Sequence, residues 1–291
     1  MRVARGRRRG SGRFGLTLRM VLVAVFTPVM VLGVLVGIFA AFPGRQLIWV
    51  AVALAVGLIS TFVANRKAEP PAGAVLSETD DPELIAMLNR LCGLANVARP
   101  EVVLSDQRQP NSWVVHLPGQ SPRLYLTRGL RELLTLDELA AVLAHELAHI
   151  ANRDALVMTV VGGPGAVMRN ARGGWPAALL ALIGSLSSLG TNLLSRYREL
   201  AADAGSVQIT GRPSALATAL MKVSDSLEQL PKTDLRAAVA MNAFNLVAVP
   251  DRRRSWQSSR LVSRVTATHP PLRDRLEALH SLERAQHSRL L

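Results

Sequence analysis

His145-Glu146-Leu147-Ala148-His149 places two imidazoles four residues apart, and residues so spaced lie one above the other on a single helical face. Both rings can then reach one cation. Imidazole suits zinc at neutral pH, and Glu146, projecting beside that face, can take a proton from an attacking water and later deliver it to a departing amine. A catalytic zinc needs a third protein ligand and one open position. Glu199 is the candidate, in Ser195-Arg196-Tyr197-Arg198-Glu199-Leu200-Ala201-Ala202-Asp203, where Glu199 and Asp203 are again four apart and share a helical face. Asp203 can then accept a hydrogen bond from the free ring nitrogen of a ligating histidine, fixing its tautomer and raising its basicity. Taken alone, Arg198, Glu199 and Asp203 read as an exposed charge cluster; the upstream motif reverses that reading. The pattern predicts one zinc per subunit on His145, His149 and Glu199, and hydrolysis of a peptide bond.

A helix has to carry the motif. Thr135-Leu136-Asp137-Glu138 has the Thr-x-x-Glu spacing of a capping box, which predicts a helix from there to about Asn152. Asn152 and Asp154 are expected to position its end. Upstream, Asp80-Asp81-Pro82 opens an amphipathic helix carrying Leu84, Ile85, Leu88 and Leu91. Short β-rich runs follow at Glu101 to Leu104, Ser112 to His116 and Arg123 to Thr127. The last two are separated by the turn-like Pro118-Gly119-Gln120-Ser121-Pro122, and together the three predict a small antiparallel sheet. Downstream, 192–208, 213–230, 233–248 and 271–286 read as helices. The expected fold class is therefore mainly α with a small antiparallel β-sheet.

Before this domain lie two uncharged, mostly apolar runs, Met20 to Phe42 and Leu47 to Ala64, each long enough to cross the hydrocarbon of a bilayer. They predict a transmembrane hairpin at 16–66, after a basic amino terminus at 1–15 and before the metalloprotease domain at 67–291. Arg2, Arg5, Arg7, Arg8, Arg9 and Arg13 precede the first run, Arg45 lies in the connection, and Arg66 and Lys67 follow the second. By the positive-inside rule both ends of the hairpin are cytoplasmic. The apolar stretches Ala155 to Val167 and Trp175 to Leu194 admit two readings, a second hairpin at 155–194 or a membrane-apposed helical pair. If residues on either side build one metal site, this region crosses the membrane twice or not at all. The net charge of +13 is spread over the amino terminus, 251–264 and the last helix, and aromatic content is 4%. That distribution fits membrane topology and excludes a nucleic-acid footprint with stacking aromatics. The single cysteine, Cys92, rules out an internal disulfide framework and reads as core filler.

Three motifs in order carry a family resemblance: His-Glu-x-x-His-Ile-x-x-x-Asp at 145–154, Ser-Arg-x-Arg-Glu-x-x-Ala-Asp at 195–203 and Thr-His-Pro-Pro-Leu at 268–272. Over residues 75–285 the chain resembles the HtpX-type membrane proteases, a family that also includes the CAAX prenyl-protein endoproteases. The resemblance implies a zincin-like (gluzincin) fold, zinc on His145, His149 and Glu199, Glu146 as catalytic residue, and cleavage of membrane or misfolded proteins. It places the enzyme in a bacterial plasma membrane with the active site facing the cytoplasm. The chain departs from the family pattern at Leu200, where Tyr is usual, and at Asn111-Ser112-Trp113, where Asn-Ala-Phe is usual. By the same resemblance, the Asn111 segment is the edge strand that pairs with an extended peptide substrate, with Ser112 and Trp113 altering side-chain preference. His269 is a candidate catalytic residue that either polarises the oxyanion during amide attack or fills the open metal position at rest; its bland reading is a cap before the final helix. His116, His280 and His287 read as surface or loop residues.

Two other functions compete. An intramembrane protease would need the motif inside a spanning segment, yet Asp137, Glu138, Arg153 and Asp154 bracket it with charge. A catalytically silent membrane scaffold that retains the fold is opposed by the intact ligand set and the intact Glu146. The expected partners are protein or peptide substrates and the lipid bilayer.

Overall fold

The computed structural model describes residues 73–115, 120–169, 174–229 and 267–290, together with Leu246 and scattered positions between 18 and 37. Helix α1 (Pro82–Ala95) begins where the Asp81 carboxylate accepts the Leu84 N–H at 3.0 Å, with Pro82 preset for the first turn, and ends on Asn96 in the left-handed region. The three β-rich runs form β2 (Glu101–Ser105), β3 (Ser112–Val115) and β4 (Arg123–Thr127), and a short strand the sequence pattern did not mark, β1 (Ala74–Val75), precedes α1. Helices α2 (Arg128–Leu133), α3 (Leu136–Ala151), α4 (Asp154–Arg169), α5 (Gly174–Thr210), α6 (Pro213–Glu228) and α7 (Leu272–Leu290) complete the described elements.

The sheet is mixed, not antiparallel as expected. Its order is β1-β2-β4-β3, with β2 and β4 parallel and the other two pairs antiparallel. Strand β4 does fold back antiparallel on β3. However, β4 enters between β2 and β3, so β2 meets the return strand of the hairpin, and β3 is left at the edge. Thr127 pins the start of β3: its hydroxyl accepts the Asn111 N–H at 2.8 Å, donates to the Asn111 carbonyl at 3.0 Å and accepts the Leu130 N–H that caps α2.

Helix α3 runs through the centre. Leu139, Val142, Leu143 and Leu147 are fully enclosed, and the polar residues Glu138, His145 and Glu146 are buried with them. An amphipathic surface helix would leave one face wet; this one is covered on every side, by the sheet, α1, α5 and α6. Leu84, Leu88, Leu124, Leu126, Leu216, Leu220 and Val223 form the surrounding core.

The region 155–194 folds as an antiparallel helical pair, α4 on α5. Gly162-Gly163-Pro164-Gly165 lies within α4 rather than ending it. These small residues allow close approach: a Cβ on Gly165 would stand 2.6 Å from the Ser187 hydroxyl, and one on Gly184 would stand 2.6 Å from the Gly165 carbonyl. Packing thus outweighs the weak helix propensity of the segment. Among the described residues no helix is long and apolar enough to cross a membrane. The hairpin expected at 16–66 and the helix expected at 233–248 lie, apart from isolated positions, outside the described residues.

The amino terminus of α3 closes with a complete capping box. The Thr135 hydroxyl accepts the Glu138 N–H, and the Glu138 carboxylate accepts the Thr135 N–H at 2.9 Å. Lys222 of α6 binds the same carboxylate oxygen at 2.8 Å. Burial works against the Glu138 carboxylate, but Lys222 and Thr135 outweigh it and hold the group below its usual range. A depressed carboxylate contributes stability above its unfolded-state pKa and loses it as pH falls through its folded-state value. Thr135→Ala is therefore expected to cost about 1 kcal/mol in urea unfolding. Glu138→Gln should be less stable than the wild type at neutral pH, with the difference shrinking as pH falls through the carboxylate range.

Candidate active site

The metal motif occupies the last three turns of α3, so its two imidazoles project from one face. His145 Nε2 and His149 Nε2 stand 3.1 Å apart. From α5, Glu199 brings its carboxylate to the same point, with Oε2 at 3.7 Å from His145 Nε2 and Oε1 at 3.6 Å from His149 Nε2. Tetrahedral zinc with ligands at ordinary distances separates its donor atoms by about 3.3 Å. Among the described residues, His145, His149 and Glu199 are the group of donors close enough to share one ion.

Behind each histidine stands a carboxylate. Asp203 Oδ1, one turn after Glu199 on α5, lies 2.9 Å from His145 Nδ1, the place the helical spacing predicts. His149 Nδ1 contacts Asp154 Oδ2, a partnership the sequence reading missed. It depends on Arg153, whose left-handed φ of 53° turns the chain between α3 and α4 and swings Asp154 back beneath His149. Burial pushes the His149 ring down, but the hydrogen bond to Asp154 and the charges of Glu199, Asp154 and Glu146 outweigh it and hold the ring above its ordinary value.

Arg275 is the second feature missed. It comes from α7, is 2% exposed, and grips Asp203 with two hydrogen bonds, Nε to Oδ2 at 2.8 Å and Nη2 to Oδ1 at 2.6 Å. Its Nη1 donates to the Leu246 carbonyl at 2.6 Å and lies 3.8 Å from Glu199 Oε2. A signal was available: helical period places Arg275 on the same face as Leu272 and Leu279, and a charge on an apolar face requires a buried partner. Burial opposes the Asp203 carboxylate, yet Arg275 and His145 hold it below its usual range. Arg198 plays the matching part for Asp154, Nε to Oδ1 at 2.9 Å.

His269 lies at the mouth of the site, 7% exposed, with Nδ1 at 3.6 Å from Glu199 Oε2. Burial works against the Glu199 carboxylate, but the His269 hydrogen bond and the charges of His149, His269 and His145 hold it well below the usual range. The Asn111 segment borders the same cleft of about 310 Å³, which Ser112, Trp113, Glu146, Met158, Leu246 and His269 help to line. Asn111 itself precedes β3 and its side-chain carbonyl accepts the Leu246 N–H at 3.0 Å. Trp113 stacks on Tyr125, with ring centroids 5.1 Å apart and ring planes nearly parallel. His280 and His287 lie on exposed turns of α7, and His116 is outside the described residues.

The donor set fits a divalent cation. With each Nδ1 facing a carboxylate, the two Nε2 atoms are turned toward one point, 3.1 Å apart, where a cation would meet both. Among the described residues, four enclosed carboxylates, Glu146, Asp154, Glu199 and Asp203, are faced by two guanidiniums, Arg198 and Arg275. A dication would supply the difference.

Gly205 lets α5 approach closely enough to deliver Glu199. A Cβ there would stand 2.7 Å from Ala148 Cβ, one residue from His149, and the Ser206 hydroxyl bonds the Ala141 carbonyl of α3 at 2.6 Å nearby. Gly205→Ala is expected to push α5 outward and weaken metal retention against a chelator by about tenfold or more, the scale set by disturbed ligand support. Gly93→Ala, where a Cβ meets open space, should leave metal retention unchanged.

Known proteins place this arrangement. Residues 78–283 match Peptidase family M48. The chain is 34% identical to Protease HtpX homolog 1 of Streptomyces coelicolor, with 91% of each chain covered. It is 33% identical to Protease HtpX homolog of Moorella thermoacetica, covering 97% of this chain and 99% of that one. Protease HtpX homolog 2 of Methanosarcina acetivorans is 34% identical, with 78% and 81% covered. The crystal structure of S. mikatae Ste24p shares the fold at a TM-score of 0.50 and 18% identity, covering 91% of this chain and 67% of that one. With a family match spanning the whole described core and a paired-histidine, glutamate centre inside it, the chain belongs to peptidase family M48 and is a metalloendopeptidase.

Proposed function

We propose that this chain is a membrane-anchored zinc endopeptidase that cleaves membrane or misfolded proteins at the cytoplasmic face of a bacterial plasma membrane. The observation that carries the metal assignment is the pair of facing Nε2 atoms at 3.1 Å with Glu199 completing the triangle. Bound there by His145, His149 and Glu199, zinc supplies a Lewis acid that polarises a peptide carbonyl and brings the pKa of water toward neutrality. Glu146 takes the proton of the attacking water and passes it to the departing amine. Asp203, held by Arg275, and Asp154, held by Arg198, keep the two imidazoles in the tautomer whose Nε2 is free. His269 at the mouth donates to the oxyanion that forms on the carbonyl oxygen. The edge position of β3 supports its use as the strand on which an extended peptide aligns, beginning beside Asn111, Ser112 and Trp113.

The protein purified in detergent with a metal-free tag tests this directly. Wild type and Glu146→Gln should each hold about one zinc, but only the wild type should cleave casein; His145→Ala should lose both metal and activity. Equal activity in Glu146→Gln and wild type would reject the assigned mechanism.

The anchor has its own test. Cys92 is buried, so an introduced cysteine becomes the reactive one. In intact cells Gly44→Cys should react with a membrane-impermeant maleimide, whereas Ala68→Cys should react only after the membrane is opened. Labelling of both positions from outside would reject the hairpin topology.

A further inference from the structure

We propose that Ser112 is a positioning residue for Glu146: its hydroxyl holds one carboxylate oxygen, leaving the other as the oxygen that handles the proton. This inference rests on the role of Glu146 proposed above. The Ser112 hydroxyl donates to Glu146 Oε1 at 2.9 Å, and both side chains are enclosed, at 1% and 4% exposure. Among the described residues Ser112 is the side-chain donor bonded to Glu146.

Strand geometry explains why this serine points inward. In β3, Ser112 pairs with Leu126 and Trp113 with Tyr125 of β4. Side chains alternate along a strand, so Trp113 joins Tyr125, Val103 and Val115 on one face. Ser112 shares the other face with Val114, which packs on the core around α3. The hydroxyl therefore meets the catalytic helix. Where the family pattern has alanine, this chain has added a donor to a buried carboxylate.

The contact has two consequences. A carboxylate with one oxygen bonded has a single preferred orientation, so less rotational freedom is lost when Glu146 meets the attacking water. In addition, Ser112 belongs to the edge strand, so the placement of that strand and the placement of the base are tied by one hydrogen bond. Any shift of β3 on pairing with a peptide is felt at Glu146.

The test compares zinc-replete full-length wild type, Ser112→Ala, Ser112→Thr, Glu146→Ala and the Ser112→Ala/Glu146→Ala double variant in detergent. Zinc content, unfolding midpoint, and kcat and KM on a quenched fluorescent peptide are measured. Ser112→Ala should keep its zinc and leave KM within about twofold, while kcat falls about tenfold, the signature of an interaction acting in the transition state. Ser112→Thr, which restores the hydroxyl, should recover most of that loss. The unfolding midpoint should drop by about 2–4 °C on Ser112→Ala in the wild-type background, but should not drop when Glu146 is already alanine. An unchanged kcat in Ser112→Ala alongside an inactive Glu146→Ala would overturn this proposal alone. An equal midpoint drop in both backgrounds would do the same, because the serine would then act without Glu146. A Glu146→Ala protein as active as wild type would overturn the mechanism and this inference together.

Discussion

Two imidazoles can aim their Nε2 lone pairs at one point only if something holds the proton on each Nδ1. Here Asp203 Oδ1 stands 2.9 Å from His145 Nδ1 and Asp154 meets His149 Nδ1, and both carboxylates are themselves buried. A buried carboxylate is tolerated only when paired, and this requirement propagates outward: Asp203 needs Arg275, and Asp154 needs Arg198. The result ties together α3, the α3–α4 junction, α5 and α7, segments far apart in sequence. The order of the whole centre follows from orienting two ring nitrogens. Metal binding at this centre and the integrity of the network would therefore be linked.

The packing around α3 serves the same end. Most central helices in small domains bury only apolar surface, whereas α3 carries His145 and Glu146 into a region with Leu143 and Leu147 on neighbouring positions. Low local polarity strengthens each of the charge pairs above and makes a missing partner costly. It also demands close approach of the helix that brings the third donor. Gly205 and the Ser206 hydroxyl bond provide this, fixing the α3–α5 distance beside His149 and within two turns of Glu199.

What could be read from the sequence was whatever obeys a short-range helical rule. His145 meets His149 and Thr135 meets Glu138, pairs four and three residues apart, and Glu199 and Asp203 share a face on which both approach His145, all as the spacing requires. Asp154 escaped because its position depends on one left-handed residue, Arg153, and nothing in a periodic pattern announces such a turn. Arg275 escaped because its partner lies 72 residues away, although its place on an apolar helical face was a usable sign. The parallel pairing of β2 with β4 was invisible for a different reason. Alternation of inward and outward side chains is the same whichever way a neighbour runs, so strand pattern fixes faces and leaves direction open.

The departure at Ser112 and Trp113 shows how one strand can serve two faces. Trp113 turns away from α3 and is held by its parallel stack on Tyr125 at the point where the edge strand borders the cleft. Ser112 turns toward α3 and bonds Glu146. On the other face, beside Val103 and Tyr125, a serine hydroxyl would point away from Glu146. On the inward face the same oxygen enters a desolvated site beside a carboxylate, where hydrogen bonds to charge are at their strongest. The alternation of the strand, more than the chemical difference between alanine and serine, thus decides what this substitution does.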